Sequence, residues 1–388
     1  MTNVVIAGIG QTPVNEHWDL SLRELGLQAM EAAMQDAGGL RPNALYVGNM
    51  LSGALSHQAQ LGALLADFAG LTGIEAAAIE AAGASAAMAL RVGFLAVASG
   101  QVDVALVLGV EKLSDQVPAQ VESALAMGTD ADYEAEQGLT LTAQAALLAQ
   151  RYLHEFKVPE HGLAGFSLTA HANGAHNPNA MFRKAVKPEI YASAAIVSAP
   201  LNMFDIAPNA DGAAALLLTR AELLPPKFPH PLVEIAGSSA VTDTLALHDR
   251  PDPLTFNAAR LSVERACAQA GILPKDADLF ELFDAFSIYS ALSLEAAGFS
   301  ERGQGWVWAR NGAIHLDGDL PIATLGGLKA RGFPGGATGA YQAVEATLQL
   351  RGQADGAQVP GAKTALVQSL GGPASTAVTH VLKVFNQN

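Results

Sequence analysis

The run Gly326-Gly327-Leu328-Lys329-Ala330-Arg331-Gly332-Phe333-Pro334-Gly335-Gly336-Ala337-Thr338-Gly339-Ala340-Tyr341 is the stretch of this chain best suited to bring backbone against a ligand. Its six glycines and one proline describe a chain that turns tightly, approaches something closely and enters a helix from Ala337 onward. A further glycine, Gly83 in Ile79-Glu80-Ala81-Ala82-Gly83-Ala84-Ser85, opens a second helix, whose N-terminus would favour an anion or a carbonyl oxygen. Side chains able to move a proton are few nearby. Asp284 precedes a helix expected over Ala285 to Ala297, and capping that helix is its plainest role. Tyr289 lies on the same helix and Tyr341 on the first turns after Gly339, each either a packed ring or an acid–base group. His171 reads as a structural residue. Cys267, the single cysteine, falls mid-helix on an apolar face, which suits a core thiol and excludes an intramolecular disulfide or a thiol-based metal cluster. No metal is expected.

Such residues need a rigid frame, and the chain can supply one. With 388 residues, half of them hydrophobic and 15% charged, it can bury a large core as two similar lobes. Strand-like runs alternate with alanine-rich helical runs, the pattern of an α/β protein with mainly parallel sheets. Leu27 to Leu40 has the rhythm of Leu261 to Leu273, each an amphipathic helix ended by Ala-Gly and followed by a proline. The helix Gly83 to Gly100 leads to the strand Val104 to Leu108, as Gly336 to Gly352 leads to Thr364 to Val367. The same order in each half predicts a duplication about a pseudo-two-fold axis. The proline-rich link Leu224 to Pro231 divides lobe 1–224 from lobe 232–388. Between Glu111 and about Pro200 the first lobe carries a long excursion, an acidic loop from Asp115 to Gly138 and then a helix from Leu141 to Phe156, expected to cover the site and contribute to subunit contacts.

A net charge of -15 disfavours nucleic-acid and anionic-membrane partners, so any anionic ligand must meet a local basic patch. The first residues carry no basic n-region or cleavage site and no apolar stretch reaches the roughly 20 residues of a membrane helix, which gives a cytoplasmic expectation.

Four segments together resemble the thiolase superfamily, in particular its sterol-carrier type. The glycine-rich run resembles that family's Gly-His-Pro-x-Gly-x-x-Gly loop, with Phe333 at the histidine. Ile79 to Ser85 resembles the nucleophile segment, with Gly83 at the cysteine. Asn209-Ala210-Asp211-Gly212-Ala213-Ala214-Ala215 is similar to the strand start ending in Asp-Gly-Ala, and Glu281-Leu282-Phe283-Asp284-Ala285-Phe286 to Glu-x-His-Asp-x-Phe, with Phe283 at the histidine. The family's second cysteine falls on Ser369, and His171-Ala172-Asn173 resembles its His-x-Asn element.

The resemblance implies a thiolase fold, two duplicated βαβαβαββ lobes in a five-layer αβαβα arrangement, and an acyl-CoA thioester as ligand or substrate with no other cofactor. It also implies that the side-chain chemistry has changed. Glycine cannot attack a thioester, and phenylalanine cannot transfer a proton or hold an oxyanion. The two rings and the deleted side chain could instead line a reshaped apolar pocket in which the missing side chain leaves room for a ligand. Backbone N–H groups at Gly83, Gly371 and Gly372 could still form an oxyanion site. CoA phosphates would be met by Arg183, Lys184, Lys187, Lys329 and Arg331, and the pantetheine arm would pass Gly237 and Ser238.

Three functions remain open at this stage. The chain could be an acyl-CoA-binding subunit of a larger assembly, a homodimer with an OB-fold, zinc-ribbon acyl-CoA-binding partner, lacking Cys-dependent chemistry. It could be a lyase catalysing retro-aldol cleavage of a hydroxyacyl-CoA, with Asp284, Tyr289 or Tyr341 as base. It could be an atypical acyltransferase using Ser85, the hydroxyl nearest the appropriate helix end.

Overall fold

The computed structural model describes residues 3–225 and 228–385. Nine strands form one mixed sheet: β1 (Val4–Gln11), β2 (Ala44–Gly48), β3 (Glu75–Ile79), β4 (Val104–Glu111), β5 (Gly212–Arg220), β6 (Val233–Thr242), β7 (Leu279–Glu281), β8 (Thr364–Gly371) and β9 (Thr376–Val384), in the order β3-β2-β4-β5-β1-β6-β9-β8-β7. The first five come from the first lobe and the last four from the second. The halves meet at β1 and β6 through two residue pairs, Val5 with Glu234 and Ile6 with Val233. β4 is buried along its whole length, which explains why Val-Ala-Leu-Val-Leu-Gly-Val is a continuous apolar run instead of an alternating one.

The helices lie in three layers. α1 (Leu22–Asp36) and α2 (Leu61–Phe68) cover the outer face of the first half with their apolar stripes. α3 (Ser85–Ala98) and α4 (Thr338–Arg351) pack on each other between the two halves, and each touches strands of both. α5 (Asn257–Ala270) and α6 (Ser287–Ala296) cover the outer face of the second half. This is the expected five-layer order of helices and strands.

Local signals fix the ends. Ser21 and Glu24 form a capping box that starts α1 five residues before the expected Leu27. Gly271 and Gly352 end α5 and α4 in the left-handed conformation that glycine adopts without penalty. The duplication departs from the expected βαβαβαββ pattern in one place: the third strand of the second lobe is reduced to a bridge between Phe280 and Ile322. The expected link between lobes includes residues 226–227, outside the described residues. The excursion contains helices Pro118–Ala126, Leu141–Glu155 and Ala164–Gly174 and a short hairpin, Ile196–Ser198 with Leu201–Asn202. Among the described residues no helix is long and apolar enough to cross a membrane.

Candidate functional site

The two central helices start side by side. Each is preceded by a 3-10 turn, Ala82–Ala84 before α3 and Gly335–Ala337 before α4, and the helices cross where a Cβ on Gly339 would collide with the Ala87 backbone. Ala82 has φ 49°, a positive value that strains an alanine and is typical of turns shaped for function. Glu111, fully buried at the end of β4, ties the surrounding loops together. Its carboxylate accepts from the backbone N–H groups of Met50 (2.9 Å), Leu51 (3.1 Å) and Gly336 (2.9 Å) and from the Asn49 amide (2.8 Å). Burial pushes its pKa up to about 7, against the pull of those hydrogen bonds.

Above these turns lies a cavity of about 550 Å³. Gly83, Phe283, Phe333 and Gly372 reach it from four segments far apart in sequence, joined by Tyr289 from α6. The excursion supplies another wall through Leu125, Thr140 and Leu141, and the Ile206–Asn209 segment closes the side. The rings of Phe283 and Phe333 meet edge to face with centroids 5.8 Å apart. A Cβ on Gly83 would stand 2.7 Å from Phe283 Cζ and 2.7 Å from the Leu370 carbonyl oxygen. The space expected to be open to a ligand beside Gly83 is therefore filled by the Phe283 ring. No cysteine or histidine is among the described residues lining the cavity; the groups there able to exchange a proton are Tyr289 and Glu122. Burial raises the Tyr289 hydroxyl above its ordinary value, with Arg250 opposing, and that hydroxyl has no hydrogen-bond partner.

Several expected site residues lie elsewhere. Asp284 does not cap α6, whose first residue is Ser287 and whose cap position is Phe286; its buried carboxylate accepts from the Leu328 N–H at 2.7 Å under the glycine-rich loop. Tyr341 is wholly buried and its hydroxyl donates to the Thr12 carbonyl at 3.0 Å, so it braces β1 against α4 and cannot act as a base in the cavity. The Ser369 hydroxyl donates to Gln342 Oε1, and Gly371, in β8, does not line the cavity although Gly372 does. Ser85 ties its own turn, donating to the Ala82 carbonyl at 2.6 Å and accepting from the Ala81 N–H at 2.9 Å.

Among the basic residues, Arg183, Lys184 and Lys187 are exposed on the excursion, whereas Arg331 and Lys329 are buried. Arg331 pairs with Glu345 and lies over the Tyr341 ring, which removes it from any phosphate. Lys329 donates to the Asp205 carbonyl at 2.7 Å, and burial lowers its ammonium to about 8 while Asp284 and Asp205 oppose. Gly237 lies against the Ala266 carbonyl where β6 meets α5, and Ser238 is buried with its carbonyl accepting from Arg91, so neither faces a ligand arm. Cys267 is a buried free thiol whose pKa burial pushes up to about 11, as a core position demands.

Two features escaped the sequence argument. Glu111 had a signal, an acid ending an otherwise apolar strand, which calls for buried donors. Asn209 donates to Glu122 Oε1 at 3.2 Å across the cavity mouth, a pairing between segments that no local pattern reveals.

The segment models that match are "Thiolase, N-terminal domain" over residues 4–196 and "Thiolase C-terminal domain-like" over residues 239–384. The acetyl-CoA acetyltransferase of Methanothermobacter thermautotrophicus is 39% identical over 383 residues, covering 98% of this chain and 99% of that one. The 17-hydroxy-3-oxo-4-pregnene-20-carboxyl-CoA lyase of Mycobacterium tuberculosis is 28% identical, covering 89% and 91%. Among solved structures, the Ltp2-ChsH2(DUF35) aldolase superposes with a TM-score of 0.83 at 24% identity over 98% of each chain, a likeness of fold.

Proposed function

The chain belongs to the thiolase family, and from that premise we propose that the cavity beside Gly83 takes an acyl-CoA thioester without performing Cys-dependent thiolase chemistry. The observation that carries this is the packing at Gly83. The Phe283 ring occupies the place where a side chain at residue 83 would begin, so the cavity is built around a missing nucleophile. The Ala84 and Ser85 N–H groups are taken by the Ala81 and Ala82 carbonyls, so the backbone donors assigned to a thioester oxygen are those of Gly83 and Gly372, which line the cavity. Exposed Arg183, Lys184 and Lys187 offer charge for the CoA phosphates. CoA and acyl-CoAs of graded length are expected to raise the melting temperature, since a ligand of the native state stabilises it by mass action. A radiolabelled acyl group is expected to leave with denaturation; its covalent retention would overturn the reading.

The protein works in this proposal as a subunit of an acyl-CoA-processing assembly. The exposed apolar side chains Ile196, Val197 and Met203, close together beside the cavity, suit a protein partner. The Ltp2-ChsH2(DUF35) neighbour, named for two components, supports a partner protein, and the OB-fold, zinc-ribbon kind is the one the family resemblance implies. The open edge of β3, with Ala77 and Ala78 exposed, supports a homodimer formed by strand pairing.

A second reading, retro-aldol cleavage of a β-hydroxyacyl-CoA, is favoured by Tyr289 in the cavity wall and by the similarity to a lyase. In that reaction a base takes the hydroxyl proton, the Cα–Cβ bond breaks and its electron pair passes into the thioester enolate. Of the three expected bases, Tyr289 alone lines the cavity, and burial keeps its phenol protonated, so in this reading it returns a proton to the enolate while the Glu122 carboxylate, the other proton-exchanging group there, takes the hydroxyl proton. Tyr289→Phe should abolish cleavage while leaving acyl-CoA stabilisation in place; unchanged turnover would sink this mechanism.

A further inference from the structure

The segment Ile206 to Pro208 has a cavity on each side. Behind the one already described lies a second, of about 410 Å³, which shares Val197, Ile206, Ala207 and Pro208 with it. Its walls are largely apolar, with Phe182, Met203 and Phe204 prominent, and its polar residues are His171, Lys184 and Lys329. Neither Lys329 nor His171 lines the larger cavity.

Two of these polar groups are underused. Lys329 is 1% exposed, and an ammonium carries three donors, of which the Asp205 carbonyl takes one. His171 is 5% exposed and its Nδ1 has no partner. Burial and the Lys329 charge lower its pKa to about 4, so near neutral pH the ring is uncharged. Two acids supply counter-charge to Lys329 without taking its hydrogens: the Asp205 carboxylate accepts from the Tyr191 hydroxyl at 2.7 Å and the Asn202 N–H at 3.0 Å, and Asp284 accepts from Leu328 with its Oδ2 unpartnered. Their charges offset part of the cost of burying the ammonium, but two of its donors still face the apolar cavity without an acceptor, and a buried donor left unmade is costly.

We propose that this second cavity is a binding site for an amphipathic monocarboxylate, its carboxylate on the Lys329 ammonium and its hydrocarbon along Phe182, Met203 and Phe204. Lys184, exposed at the rim, adds attraction for an anion at the mouth. The site shares the Val197 and Ile206–Pro208 wall with the thioester cavity and Lys184 with the proposed phosphate contacts, but its anchor, Lys329, does not line that cavity.

The test is calorimetric titration of the full chain with octanoate, with 1-octanol and octylamine as comparators. Octanoate should bind with a Kd on the order of 1 mM or tighter, and octanol about tenfold more weakly. Octylamine should not bind. Lys329→Met, which keeps the length and removes the charge, should bring octanoate down to the octanol level. Met203→Trp should block the cavity and abolish binding of octanoate, and it keeps the test decisive if the Lys329 variant fails to fold. The proposal is overturned if the wild-type chain gives no octanoate binding, if octanol matches octanoate, or if octanoate affinity survives Met203→Trp.

Discussion

Gly83 and Phe283 behave as one unit, because the ring of one occupies the space a side chain on the other would need. Gly83→Cys alone should therefore destabilise the protein by about 1–3 kcal/mol through overpacking. In a Phe283→Ala background the ring clash is gone and only the approach to the Leu370 carbonyl remains, so the cysteine should cost less there and the two changes should be non-additive by more than about 0.5 kcal/mol in denaturant unfolding of all four proteins. Strict additivity would mean that the ring moves aside freely. This pairing was partly legible in the sequence: the glycine-rich loop, Gly83 and Phe283 could each be located, and they do converge on one cavity. That the ring fills the vacancy could not be read, because residue spacing carries no information on depth. Tyr341, Arg331 and Lys329 misled for the same reason. Their types suit chemistry or phosphate binding, and only three-dimensional burial shows that they brace the core or face a different cavity.

At the scale of elements, Asp36 at the end of α1 joins the lobes. Its carboxylate accepts from the Ile9 N–H at 2.9 Å and from Arg351 Nη1 at 2.8 Å, with His230 Nε2 3.4 Å away. Burial alone would raise its pKa, but these partners outweigh it and hold the group at about 2. The folded value lies below the ordinary value of about 3.9, so the stabilisation is present above about pH 4 and is lost as pH falls through about 2. Asp36→Asn should cost about 1–2 kcal/mol at pH 7, reduced by solvent screening, and almost nothing near pH 2, as chemical denaturation at the two pH values would show. Gly339 sets the approach of the central helices. Gly339→Ala should lower the melting temperature by about 1–4 °C, as expected for about 1–3 kcal/mol of overpacking in a chain of this length. Helix α4 also shows where periodicity runs out as a guide. Almost every residue from Thr338 to Arg351 is buried, including Gln342, Glu345 and Gln349, because the helix is enclosed on all sides and has no polar face to display. The absent third strand of the second lobe was illegible too, since Ile322 to Leu325 is apolar enough for a strand and yet makes a single bridge.

For the whole molecule, the exposed edge of β3 predicts the assembly. Ala77→Lys, placed on that edge, should convert a homodimer to a monomer in light scattering without unfolding it, because the residue is exposed within the chain. A dimer that persists would place the contact elsewhere. The layered architecture was the most legible property of this chain, since the alternation of strands and helices runs its full length and local rules govern it. The narrow seam between the halves has a further consequence for the order of events during synthesis. The first five strands are complete once residue 220 has been made, whereas β6, its partner β9 and the whole of α4 follow later. At about 5–20 residues per second, the inner face of α3 waits on the order of ten seconds or more for its cover. During that interval the nascent chain should display the apolar surface that will become the middle layer, which leaves the newborn first lobe prone to association until its second half arrives.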